Sequence, residues 1–85
     1  MLRSQHEFPG KYTFRVVVRP EAAPAIVSAI GAALHSGSSV RSVDERSSRS
    51  GNYISLRILT EMADAEAVLD VNELIAKLTG VVMTL

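Results

Sequence analysis

Two stretches of this chain alternate between apolar and polar residues, the pattern of a β-strand that has one face against a core. The first covers residues 11–19 and points Phe14 and Val16 towards that core. The second covers residues 53–60 and points Leu56 the same way. Both stretches therefore predict half-buried strands, each with an opposite face that is free of the core.

Two other segments repeat apolar residues with the period of a helix. Pro is tolerated only in the first turn of a helix, so Pro24 places the first helix start near residues 22–24, and Gly37 is expected to end that helix. Asp64 is expected to cap the second helix, and Gly80 to close it. The apolar positions expected to face the sheet are Ile26, Val27, Ile30, Leu34, Val68, Leu69, Val71, Ile75 and Leu78.

Two weaker strands complete the order of elements. Residues 40–46 form a strand in which Val40 and Val43 break strict alternation, as a bulge or an edge position would explain. Residues 81–85 form the last strand. The order predicts an α+β fold, a ferredoxin-like βαββαβ sandwich with a four-stranded antiparallel sheet (order 4-1-3-2) and two helices on one face. We assign residues 1–10 to an N-terminal segment and residues 11–85 to a single domain.

Composition and charge narrow the classes of function. The 85 residues include nine basic and nine acidic side chains, so the net charge is zero and there is no basic excess for phosphate binding. Cysteine is absent from the sequence, which excludes disulfides and thiolate chemistry. The sequence has no apolar run of the kind found in membrane spans or signal peptides, and we expect a cytoplasmic protein.

The candidate contact residues fall in two places. A basic, hydroxyl-rich loop joins the second and third strands and could hold an anion or a partner through backbone N–H groups and guanidinium groups, although a plain hairpin turn uses the same residues. Its members are Arg46, Ser47, Ser48, Arg49, Gly51 and Tyr53. The open face of the sheet is expected to carry Arg15, Arg19 and Arg57.

Four motifs spread over the chain carry a resemblance to a known family. They are Phe8-Pro9, Tyr12-Thr13-Phe14-Arg15, Ser47-Ser48 followed by Gly51, Tyr53 and Ser55, and Val81-Val82-Met83-Thr84-Leu85. Together they resemble the YbeD-like family of small bacterial proteins. The resemblance implies a ferredoxin-like fold similar to ACT-type regulatory domains, and no established biochemical function. Arg19-Pro20-Glu21 stands where ligand-binding ACT domains carry a glycine-bearing turn, which argues against amino-acid binding.

No group of residues in the sequence matches a catalytic, cofactor or metal motif, so we expect no enzyme activity and no cofactor. The favoured hypothesis is a regulatory or protein-interaction module that has a protein partner. Exposed edge strands would also allow a homodimer, and a small anionic ligand is left open. The alternative is an RNA-binding domain that uses the open sheet face. Nucleic acid is disfavoured because Tyr53 alone has the position of a base-stacking aromatic.

Overall fold

The computed structural model describes residues 8–35 and 37–84, and in them the strands and helices follow the predicted order. The elements are β1 (Gly10–Val18), a single-turn 3-10 helix (Pro20–Ala22), α1 (Ala23–Ala33), β2 (Ser39–Ser47), β3 (Ile54–Met62), α2 (Ala65–Lys77) and β4 (Val81–Thr84). The strands form one antiparallel sheet of order β2-β3-β1-β4, which is the predicted order read from the other edge. The fold is therefore ferredoxin-like, as predicted. Residues 1–7, most of the predicted N-terminal segment, and Leu85 lie outside the described residues.

The pairing of β1 with β3 decides which side chains meet the helices. Val16 lies opposite Leu56 and Phe14 lies opposite Ile58, and residues directly opposite each other share a face of the sheet. All four are buried against the helices, which confirms the predicted parity of both strands. The buried apolar core comprises Phe14, Val16, Val18, Ala23, Ile26, Ile30, Leu56, Ile58, Met62, Val68, Val71 and Ile75.

Strand β3 runs two residues beyond its predicted end, and Met62 is fully buried. Thr60 is also fully buried although it is polar. Its Oγ1 donates a hydrogen bond of 2.7 Å to the carbonyl oxygen of Tyr12, the residue opposite it in β1. A buried hydroxyl without an acceptor would cost stability, so this bond explains how the core accepts Thr60.

Helix α1 begins at Ala23, within the predicted range, but it ends earlier than predicted. Leu34 is already extended, and its N–H bonds to the carbonyl of Gly31 in a tightened last turn. Gly37, with a φ of 89°, belongs to the turn that leads into β2. No helix in the described part of the chain is both long and apolar enough to cross a membrane.

Helix α2 confirms the predicted cap and corrects one predicted core residue. Asp64 Oδ1 accepts a hydrogen bond of 2.8 Å from the N–H of Ala67, as an N-cap carboxylate does. Leu69, predicted to face the sheet, is 60% exposed. It lies about 100° further round the helix than Val68, whereas Val71 and Ile75 return to the buried side.

Strand β2 is an edge strand with a bulge, so both explanations for its broken alternation hold. Its only strand partner among the described residues is β3. The register shifts between Val40 and Ser42, which leaves Arg41 as the extra residue.

Candidate functional site

The open face of the sheet brings three arginines together. Arg15 in β1 lies directly opposite Arg57 in β3, and Asp44 in β2 lies opposite Arg57 on its other side. Arg46 lies opposite Ser55, one row away, so it is a diagonal neighbour of Arg57. Side chains directly opposite each other have Cβ atoms about 4.5–5.5 Å apart, and diagonal neighbours lie about 7–8 Å apart. The guanidinium groups of the three arginines can therefore reach one bound group.

A shallow concavity of about 450 Å³ lies over these residues. Its outward-facing lining includes Arg15, Asp44, Arg46, Ser55 and Arg57, all of them exposed. We call it the arginine groove. It joins members of both predicted groups, because Arg46 belonged to the predicted loop whereas Arg15 and Arg57 belonged to the predicted open face.

The charges in the arginine groove are not neutralised by ion pairs with the residues that the structure describes. In the described part of the chain, Arg15, Arg46 and Arg57 form no ion pair, even though Asp44 lies opposite Arg57. Like charges directly opposite each other on a sheet destabilise it. The pairing of Arg15 with Arg57 therefore costs some folding stability, and a bound anion would relieve that cost.

The loop after β2 is held by its own hydrogen bonds. It starts at Ser48, because Arg46 and Ser47 already belong to β2. The N–H of Ser48 donates to the Tyr53 carbonyl (2.8 Å), and the N–H of Tyr53 donates back to Ser48 Oγ (3.1 Å). The N–H of Gly51 donates to the Ser48 carbonyl at 3.0 Å. These N–H groups serve the turn itself, as in a plain hairpin.

The remaining candidate residues form a second group at the end of the sheet. Arg19, Gly51 and Tyr53 line a small pocket of about 230 Å³ next to the 3-10 helix. The Nε atom of Arg19 lies 3.6 Å from Glu21 Oε2, and both side chains are largely exposed. The charge of Arg19 is therefore already partnered, in contrast to the charges in the arginine groove. Arg49 lies in the turn and is exposed.

Three of the four aromatic side chains, Phe8, Tyr12 and Phe14, belong to the core on the helix side, and Tyr53 lies at the end of the sheet. Phe14 is 3% exposed on the helix side, and its ring centroid lies 4.8 Å from that of Tyr12, which packs against the same core. Tyr53, at the sheet end, is 42% exposed. Among the described residues, no group of three or more His, Cys, Asp or Glu side chains is placed to hold a metal ion.

Comparison with known proteins gives a family and no activity. The model of the family described as "Protein of unknown function (DUF493)" matches residues 3–85. The chain belongs to this family. It is the YbeD family that the sequence motifs resemble, so that prediction is confirmed. Neither a search of the curated proteins nor a search of the solved structures found a match.

In this DUF493 member, Asp44 and Ser55 are polar neighbours of the arginines that were not among the predicted site residues. The alternation of β3 could have indicated Ser55, because it puts Ser55 on the same face as Arg57. Asp44 could be placed only from the register of β2, and the bulge at Arg41 makes that register hard to count from the sequence.

Proposed function

We propose that this protein is a non-enzymatic interaction module, of the regulatory kind, whose arginine groove binds an acidic segment of a protein partner. One observation carries the proposal: Arg15 and Arg57 lie directly opposite each other, exposed, with no ion pair to the described residues. An arrangement that opposes folding is expected where it serves binding.

The chemistry of the groove favours carboxylates. A guanidinium group presents a planar fork of donors that matches a carboxylate in two parallel hydrogen bonds. It also stays protonated at all ordinary pH values, so it binds charge and does not transfer protons. Three such groups around the Ser55 hydroxyl suit a segment with more than one acidic side chain. Asp44 makes the groove selective, since it repels acidic groups placed on its side.

The shape of the groove favours a peptide over RNA. The concavity is shallow and crosses three strands, from Arg15 in β1 over Arg57 in β3 to Asp44 in β2, so an extended chain can lie across the sheet. RNA-binding sheets of this topology stack bases on aromatic side chains of the central strands. Here Phe14 and Tyr12 lie on the helix side, and Tyr53 lies at the sheet end with Arg19, away from the three arginines.

The proposal is tested with a fluorescein-labelled oligoglutamate peptide in anisotropy titrations at low and high salt. We expect saturable, salt-sensitive binding that is weakened about tenfold or more in Arg15→Gln/Arg57→Gln, because charge-assisted hydrogen bonds are lost. The matched control is Arg19→Gln/Arg49→Gln, which removes the same charge outside the groove. Equal weakening by both variants would show that only net charge matters, and an absence of wild-type binding would contradict the proposal.

Single substitutions separate the groove from the turn. Arg46 faces the groove from β2 and Arg49 lies in the turn, so we expect Arg46→Gln to weaken peptide binding and Arg49→Gln to leave it unchanged. The reverse result would assign the contact to the predicted loop. Oligouridylate serves as the competitor in the same assay. If it displaces the peptide at lower concentration than unlabelled oligoglutamate does, the RNA-binding alternative replaces the peptide proposal.

A further inference from the structure

Strand β2 presents a long free edge. It spans nine residues, none of them buried, and Val43 at its centre is only half-buried. The side of β2 that faces away from β3 has no strand partner among the described residues. Strands in globular proteins usually have about three to ten residues, with five or six the commonest length, and a long unpaired edge is a template for another strand.

The residues of β2 are complementary to a second copy of themselves. When two copies run antiparallel with Val43 opposite Val43, Arg41 of each copy meets Glu45 of the other. The same register sets Ser42 opposite Asp44 twice, a hydroxyl donor against a carboxylate acceptor. Opposite charges and hydrogen-bonding pairs across two strands stabilise their pairing.

We propose that the protein forms a homodimer by antiparallel pairing of β2 with β2, on a two-fold axis that passes through Val43. The axis is perpendicular to the sheet, because a continuous antiparallel sheet keeps the same face of both copies on the same side. Each residue then lies opposite a residue whose side chain is on the same face. One residue of the strand must therefore lie opposite its own copy, with the axis between the two.

The charges of β2 select this register over its neighbours. An axis at Arg41 would set two arginines against each other, and an axis at Asp44 or Glu45 would set two carboxylates against each other. Like charges directly opposite each other are destabilising. An axis at Ser42 would pair Arg41 with Val43 and set every charged side chain of β2 opposite an uncharged residue. Of these registers, the one with its axis at Val43 is therefore the one in which the charges of the two strands attract each other.

The bulge limits the contact to the central part of the strand. Because Arg41 is the extra residue of the bulge, regular pairing starts at Ser42, and Arg41 meets Glu45 at the outer end of the contact. So short a contact buries little surface, and the dimer is weak and depends on concentration. Its formation would cover Val43. The helices of both copies lie on one side of the joined sheet, and the two arginine grooves lie on the other.

Sedimentation velocity over a wide range of protein concentration tests the pairing through charge reversal. We expect a wild-type dimer whose dissociation constant rises about tenfold or more in Arg41→Glu and, separately, in Glu45→Arg, because each variant sets like charges opposite each other twice. An equimolar mixture of the two variants restores attraction at both positions, so it should form a heterodimer. The double variant Arg41→Glu/Glu45→Arg should recover the homodimer.

The controls show whether misfolding or a change in net charge, and not the loss of β2 pairing, causes a loss of the dimer. Arg49→Glu and Glu73→Arg reverse exposed charges outside β2 and should leave the dimer intact, and circular dichroism melts check the fold of every variant. A wild-type protein that is monomeric at all concentrations overturns the proposal. So does a dimer that persists in both single variants, or a variant mixture that stays monomeric. The dimer and the arginine groove share residues of β2, since Asp44 and Glu45 also line the concavity. The two proposals are tested by different measurements, sedimentation for the dimer and anisotropy for the peptide, so the failure of one leaves the other standing.

Discussion

The two faces of the sheet are built from the same strands and follow different rules. On the helix side, Val16 and Leu56 lie opposite each other and are almost completely covered. In the next row of the sheet, Arg57 lies opposite Arg15, and both arginines are exposed. Burial explains the first pair, because apolar surface removed from water stabilises the fold. Folding stability does not explain the second pair, whereas the proposed binding of an acidic partner would.

The largest effect should come from the covered face. Leu56→Ala removes a fully packed side chain between the sheet and the helices, and we expect a loss of about 2–5 kcal/mol in the free energy of unfolding, measured in urea melts. Arg57→Ala, at the next residue of the same strand, is the matched control. If both changes cost the same, the contrast between the faces is wrong.

Two glycines extend the comparison to the turns. Gly80 has a φ of 96°, and a Cβ atom there would overlap the Cβ of Ala22 in the 3-10 helix. Gly80→Ala therefore adds a steric clash to backbone strain, and we expect a loss of about 2–4 kcal/mol. Gly51 in the hairpin has a φ of 80° but nothing within 4 Å, so Gly51→Ala should cost only about 1–2 kcal/mol. If thermal melts show equal losses of stability for the two variants, the clash with Ala22 does not contribute to the effect of Gly80→Ala.

The smallest effect on stability should come from the open face. Arg15→Gln/Arg57→Gln relieves the repulsion between two exposed charges, so we expect urea melts within about 0.5 kcal/mol per site of the wild type, with any change towards greater stability. A loss well above that range would show that the arginines support the fold, and the case for the groove would weaken.

Much of the fold could be predicted because local rules agree with it. Alternation fixed the parity of β1 and β3, Asp64 capped α2, and the broken pattern at Val40 and Val43 indicated the edge strand and its bulge. Each of these features depends on residues close together in the chain, where propensity and periodicity act most directly.

The features that could not be predicted depend on contacts between residues that are far apart in the sequence. Leu69 fits an apolar pattern, but it lies off the buried side of α2, which Val71 and Ile75 define. α1 ends at Ala33, and the turn that follows it is tied to the end of β3 by the N–H of Ala63, which donates to Ser38 Oγ. The arginine groove needed the register of three strands, since Arg46 joins Arg15 and Arg57 only after β2 has been aligned with β3.

The central claim is that the open face binds acidic partners through Arg15, Arg46 and Arg57. The most direct test is a titration of ¹⁵N-labelled protein with an oligoglutamate peptide, followed through the Nε–Hε signals of the arginine side chains. We predict saturable shifts at those three arginines and little change at Arg19 and Arg49. Shifts confined to Arg19 and Arg49, or spread evenly over all five, would contradict the account.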